Sequence, residues 1–321
     1  MRPIKTMSVK LKFPRFVAAA PTVAISFALL TSGTNAQSAG YRMVTISSQP
    51  DSTVWIDGVQ YGKTDRSGIL QIKTLSSGTH TLRLRADGFK EKSQPLAATQ
   101  HGDLSILLTK TNDNAELAFQ DAERLTAFDR EKAADAYRKA IKLRPNYPEA
   151  YVGLARVLLD AGDIDAAKTA VVQARRLRPI YPEATAVEGR IHKENGDEAK
   201  AVAAFKRAIT EGHGFQPEAY AGLGILYKEK AETSAGTGDY DAETVNYDEA
   251  AKYLRVALKQ LSGAPDAIVI YQLLGLILER QKKYVEAIAT YEEFLRIFPD
   301  VPEATAVRSF IVQIRKNQIS Q

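Results

Sequence analysis

The chain carries four histidines, His80, His101, His192 and His213, and a metal or acid–base site would need them paired at short fixed spacings. No two lie three to five residues apart, the separation that puts two ligands on one helix face, and the absence of cysteine removes the usual sulfur donors. Metal binding is not expected, and no cofactor is implied. No Gly-x-Ser-x-Gly turn occurs to expose a nucleophilic serine. Gly222-Leu-Gly224 has the outline of a phosphate-binding loop, but no Lys-Ser or Lys-Thr pair follows, and close helix packing is the simpler role. The carboxylates fall mostly on helix surfaces or at helix starts rather than in a facing pair. The residue types therefore argue against an enzyme.

What recurs instead is a spacing of thirty-four residues between Asn114 and Val301. Ala133, Ala167 and Ala201 keep it, as do Ala140, Ala174 and Ala208, and Gly162 with Gly196. Five units follow: 114–147, 148–181, 182–215, 217–261 and 268–301. Such a period belongs to helix-turn-helix solenoids, in which a single repeat cannot bury its apolar face without a neighbour. The alanines allow close helix approach, with Tyr137, Val171, Phe205, Leu254 and Tyr291 filling the space beside them. Gly162 and Gly196 suit the left-handed helix end. Pro148, Pro182, Pro217 and Pro302, each followed by Glu-Ala, suit the first helical turn of the next unit. Residues 302–316 restart a helix whose Val307, Phe310, Ile311 and Ile314 form a stripe, which would cap the open end of the stack.

This stretch, about six-tenths of the chain, resembles the tetratricopeptide repeat (TPR) family. The residues that carry the resemblance are Tyr151, Leu154, Gly162, Ala167, Ala174 and Pro179 in the second unit, and Tyr271, Leu274, Gly275, Tyr284, Ala287 and Pro299 in the fifth. Gln120 and Asp121 stand where the family prefers leucine and glycine, and Thr185 and Glu188 replace aromatic and leucine positions in the third unit. Within the fourth unit, 232–245 holds two glycines and four acidic residues with no basic one. This segment is expected to be an inserted acidic loop, either tolerated surface length or a partner contact.

Ahead of the repeats, residues 1–36 have the order of a secretory signal: Arg2, Lys5, Lys10, Lys12 and Arg15, an apolar run from Phe16 to Leu30, then small residues up to Ala36. Cleavage after Ala36 and release into a bacterial periplasm or beyond is expected, a retained helix being the alternative that would bring membrane contact. The net charge of +5 rests on that leader, because without its five basic residues 38 basic face 38 acidic. A nucleic-acid partner has no electrostatic support.

Between Tyr41 and Lys110 the pattern changes to short alternating runs. Residues 43–47, 53–57, 69–73, 79–85 and 104–108 read as strands, punctuated by Asp57-Gly58, Gly62-Lys63, Ser77-Gly78 and Asp87-Gly88. The expected fold class is α+β multidomain: a small antiparallel β-sandwich over 37–112, then an all-α solenoid over 113–321 with five repeats and a capping helix. The segment resembles the PEGA domain family through Val54, Ile56-Asp57-Gly58, Gly62, Thr64, Leu75, Gly78, His80 and Gly88-Phe89, although the naming motif reads Pro50-Asp51-Ser52-Thr53. The resemblance implies a cell-envelope β-domain without catalytic residues. Trp55, out of phase with Val54 and Ile56, either faces solvent as a stacking platform or packs against a strand or the first helix.

Two functions fit. The resemblance to the repeat family implies a scaffold that binds protein or peptide segments along its first helices, and the leader makes it an exported one. The matching positions are Arg156, Arg190, Lys193 and Lys228 at one end, and Ile225, Val269 and Leu276 further along. Alternatively the arginines only complete intrahelical pairs with Asp160 and Glu194. The family's asparagine-and-lysine clamp for a terminal carboxylate is missing, with Gly153 and Val187 at neighbouring positions. The second function is binding of wall glycan by the β-domain, with the repeats assembling a larger complex.

Overall fold

The computed structural model describes residues 41–319. The leader expected over 1–36 lies outside the described residues. The first strands are β1 (Arg42–Ser47), β2 (Thr53–Ile56), β3 (Val59–Lys63) and β4 (Ile69–Leu75). They are followed by β5 (His80–Arg85), β6 (Lys92–Leu96) and β7 (Gly102–Ser105). They make two sheets, β4-β1-β7 and β3-β2-β5-β6, closed over Val44, Ile46, Val54, Leu75, Leu82, Leu84, Leu96 and Ile106. One expectation is corrected: β1 and β7 run parallel, because the chain reaches β7 through a long connection rather than a hairpin.

Two strands carried no clear sequence pattern. β6 reads Lys-Ser-Gln-Pro-Leu, and Pro95 is tolerated because β6 lies at a sheet edge. β3 was obscured by Gly62, which the sequence suggested as a turn. Asp57 and Gly58 instead make the two-residue hairpin, with φ of 50° and 81°. Gly62 belongs to a bulge: Trp55 pairs with Gln60 and Val54 with Gly62, leaving Tyr61 as the extra residue.

The helices follow in repeat order. Unit one is α1 (Asn114–Leu125) and α2 (Arg130–Leu143), unit two α3 (Pro148–Asp160) and α4 (Ile164–Leu177), unit three α5 (Pro182–Glu194) and α6 (Glu198–Glu211). Unit four is α7 (Pro217–Thr237) and α8 (Tyr240–Leu261), unit five α9 (Ala267–Arg280) and α10 (Tyr284–Ile297), and α11 (Glu303–Ile319) closes the end. The periodic alanines are fully buried. Between successive hairpins a glycine admits the ring of the preceding unit: a Cβ on Gly153 of α3 would lie 2.4 Å from the Tyr137 ring of α2, and one on Gly222 of α7 2.5 Å from Phe205 of α6. Gly222 and Gly224, buried in α7, thus serve packing. On α11, Val307, Ile311 and Ile314 are buried while Phe310 stays open, its ring 5.9 Å from that of Tyr291.

The acidic insertion is a second correction. Residues 232–245 are not a loop but the extended ends of α7 and α8, which turn at Gly238 with φ 80° and restart under the Asp239 N-cap. Ala231, Glu232 and Ala235 before the glycines and Ala242 and Glu243 after them sustain helix, and Asp239 accepts from the Ala242 N–H at 3.0 Å.

Candidate protein-interaction surface

The first helices of successive repeats pack against one another, α3 on α5 and α5 on α7. This brings the expected groove residues together, but not as free cations. Arg156 is 7% exposed and Arg190 4%. Arg156 Nη2 donates to Glu218 Oε2 at 2.6 Å, and Arg190 donates to Asp160 at 2.8 Å while lying 3.8 Å from Glu218 Oε1. Burial is the largest single influence on Arg156 and would lower its pKa, yet the charge and hydrogen bond of Glu218, with Tyr181 and Glu183, together outweigh it and hold the guanidinium above its ordinary value. Glu183, on α5 beside this cluster, is pushed up to about 7 by burial, reinforced by Glu218 and opposed by Arg156.

Lys193 reaches Glu229 at 3.0 Å and Glu194 at 3.3 Å, and Lys228 reaches Glu232 at 2.7 Å. The wall expected to be basic is therefore charge-balanced. The reason is that Glu218 lies two repeats beyond Arg156 and Asp160 one repeat before Arg190, pairings that adjacent-turn spacing on one helix does not reveal. Further along, Ile225 is buried, Val269 is half-buried and Leu276 is 54% exposed. Leu276 is thus the most open apolar member of the expected set.

Trp55 does not face solvent. It is 2% exposed, with the Arg83 guanidinium 4.1 Å and that of Arg85 5.5 Å from the ring centroid. Arg85 also lies 4.6 Å from the Phe119 ring on α1, so an aromatic–guanidinium–aromatic layer joins the two domains. The same arginine bonds Glu91 and approaches Glu116 and Glu123 at 3.8 and 3.9 Å. Of the two expectations for Trp55, packing against a neighbouring strand is the one that the structure shows.

A Ser–His–Asp grouping that escaped the sequence reading sits in the β-domain. His80 Nδ1 lies 2.6 Å from Asp57 Oδ2, and Ser76 Oγ 3.5 Å from Nε2. Nε2, however, is 2.9 Å from the Ser76 carbonyl oxygen. Nε2 lies closer to the Ser76 carbonyl oxygen than to its hydroxyl, whose 3.5 Å separation is too long for proton transfer, and Asp57 also accepts from the Thr81 N–H at 2.7 Å, so the grouping ties the Asp57 turn to the start of β5. Among the described residues no group of three or more His, Asp or Glu is placed to hold a metal ion. Nor is any helix among them long and apolar enough to cross a membrane.

Also missed was a motif repeated at the same thirty-four residues, Arg144-Pro-Asn-Tyr147-Pro-Glu and Arg178-Pro-Ile-Tyr181-Pro-Glu. Each arginine lies over its tyrosine, at 4.5 and 4.4 Å, and bonds Asp113 or Glu149. The repeated hexapeptide was the available signal.

The tetratricopeptide repeat family matches residues 124–191, 186–211 and 236–302, and the PEGA domain family matches 42–111. The chain joins a PEGA domain to a TPR solenoid. Among solved structures, the human IFIT1 dimer with m7Gppp-AAAA superposes with a TM-score of 0.52 at 17% identity, covering 65% of this chain and 48% of that one. Yeast Tom70 gives 0.50 at 19%, covering 64% and 41%. A thermophilic TPR protein of Thermus thermophilus gives 0.47 at 19%, covering 62% and 98%. No curated protein matches the chain. At these identities the two likenesses with TM-scores of 0.50 and 0.52 establish the helical-repeat fold alone. The tetratricopeptide repeat fold is typically that of a protein-interaction scaffold, and no catalytic family is indicated.

Proposed function

We propose that the protein is an exported, non-enzymatic scaffold of the bacterial cell envelope that holds a protein segment along the first helices of its TPR solenoid. The observation that carries this reading is the exposed Leu276 beside half-buried Val269 on α9, set in a wall whose charged residues neutralise one another. A balanced wall with an open apolar end selects a segment by its apolar anchors at helical or extended spacing rather than by net charge. Export rests on the basic, apolar and small-residue order of residues 1–36. The glycan reading has lost its stacking surface, since Trp55 lies under Arg83.

Crosslinking in the native envelope would supply the partner, and titration against Leu276→Asp tests the site. Affinity should fall tenfold or more, with little dependence on salt. An unchanged affinity in Leu276→Asp would remove α9 from the binding surface. Intact mass of the envelope-purified protein tests export, a product starting near Gln37 being expected.

A further inference from the structure

The PEGA domain touches the solenoid at two places far apart in sequence, and the chemistry of the two contacts differs. At the first, Arg85 meets three carboxylates and two aromatic rings. Gln120, 3% exposed, accepts from the Gly88 N–H at 2.9 Å and donates to the Phe89 carbonyl at 2.8 Å. The link from β-domain to α1 is short, and Thr111 is itself bonded back to Gly88 at 2.8 Å. This contact is charged, doubly hydrogen-bonded to backbone and covalently tethered.

The second contact lies at the turn between α8 and α9. Tyr61, the residue expelled from the ladder by the β3 bulge, places its hydroxyl 3.3 Å from both the Leu261 and Ser262 carbonyl oxygens. One hydroxyl proton serves two acceptors here, each at the long end of hydrogen-bond distance. Val59 adds its side chain to the core around Ala264. Gly263, with φ 82°, comes so near Thr74 that a Cβ would stand 2.5 Å from the Thr74 hydroxyl. Tyr41 stands 5.4 Å from the Arg296 guanidinium. Apolar packing, including the Tyr61 ring against both the sandwich core and the core of the last repeats, one shared hydroxyl proton and one cation–ring contact make up this junction. Among the described residues it has no ion pair between charged side chains such as Arg85 makes at α1, and it closes a loop of about two hundred residues.

We propose that the PEGA domain is a clasp on the solenoid, hinged permanently at α1 and released at the Tyr61 contact, so that the protein passes between closed and open states. In the closed state the domain fixes the separation of the first repeat from the fourth and fifth, and with it the curvature of the wall. In the open state the repeats flex while the domain stays on α1. The bulge is the device that makes this possible, because a regular ladder would leave Tyr61 within the sheet instead of turned toward the helices.

The cysteine-free chain allows paired spin labels to be placed without background. One pair, Lys73→Cys with Lys259→Cys, spans the releasable contact, and a second, Lys90→Cys with Asp121→Cys, spans the hinge. All four positions are exposed. Double electron–electron resonance on the chain from residue 37 onward should give a dominant short distance for the first pair. Tyr61→Phe, which removes only the hydroxyl, should raise the long-distance fraction about five- to tenfold, and Gly263→Val should make it dominant. The hinge pair should not move in either variant. Identical distributions in wild type, Tyr61→Phe and Gly263→Val overturn the proposal, as does a wild-type chain that is already long, or a hinge pair that opens together with the first. No partner is required, so failure here leaves the groove reading untouched, and failure of Leu276→Asp to weaken binding leaves the clasp untouched.

Discussion

In the sandwich, buried positions are filled by valine, isoleucine and leucine drawn from strands as far apart as β1 and β7, whereas in the solenoid many are filled by alanines on helices adjacent in sequence. Large side chains from distant strands leave a cavity when shortened, and small ones between close helices leave no room when lengthened. The two regions should fail by opposite substitutions. Leu84→Ala in the sandwich is expected to have the largest effect, about 2–5 kcal/mol, seen as a lowered transition in calorimetry. The Arg85 and Gln120 contact predicts that the solenoid transition moves with it, and two independent transitions would argue against that coupling. Ala201→Leu should cost about 1–3 kcal/mol. A melt coincident with wild type would show that the Ala201 site is not close-packed.

Charge sharpens the comparison. Glu183 holds its proton up to about pH 7 in the fold against an ordinary value of 4.5. Its contribution is therefore complete below about pH 4.5 and is lost as pH rises through 7. Between about pH 5.5 and 8 this group should weaken the solenoid by about 1–2 kcal/mol, and Glu183→Gln should flatten that part of the denaturant-midpoint profile. A parallel profile in the variant would place the titration elsewhere. The smallest effect is expected at Gly236, exposed within α7 with open space around it. Gly236→Ala should add about 0.5–1 kcal/mol and raise helicity by circular dichroism, whereas a loss would speak against the helical insertion.

The repeat register was legible because alanine spacing reports packing between neighbours, and α2, α4 and α6 bury those alanines. The strands with alternating apolar residues were equally plain. What the sequence concealed depends on contacts between distant segments. Gln120 looked like a departure from the repeat pattern, and its reason is a β-domain backbone about thirty residues earlier. Arg156 looked like a free groove charge because Glu218 is sixty-two residues away. The acidic insertion looked like a loop because glycine and charge content mark loops, yet Gly236 and Gly238 fall at one tolerated and one required position of a helical hairpin.

That Arg156–Glu218 bond joins the second repeat to the fourth, passing over the third. A solenoid bound only between adjacent repeats behaves as a soft spring whose extension is shared evenly among its junctions. A strut across two junctions breaks that even sharing: under pull, repeats two to four move as one stiff block, and strain passes to the junctions outside it. The elastic unit of this protein is then not the single repeat but the strutted triplet, with the softer turns left at either side of it.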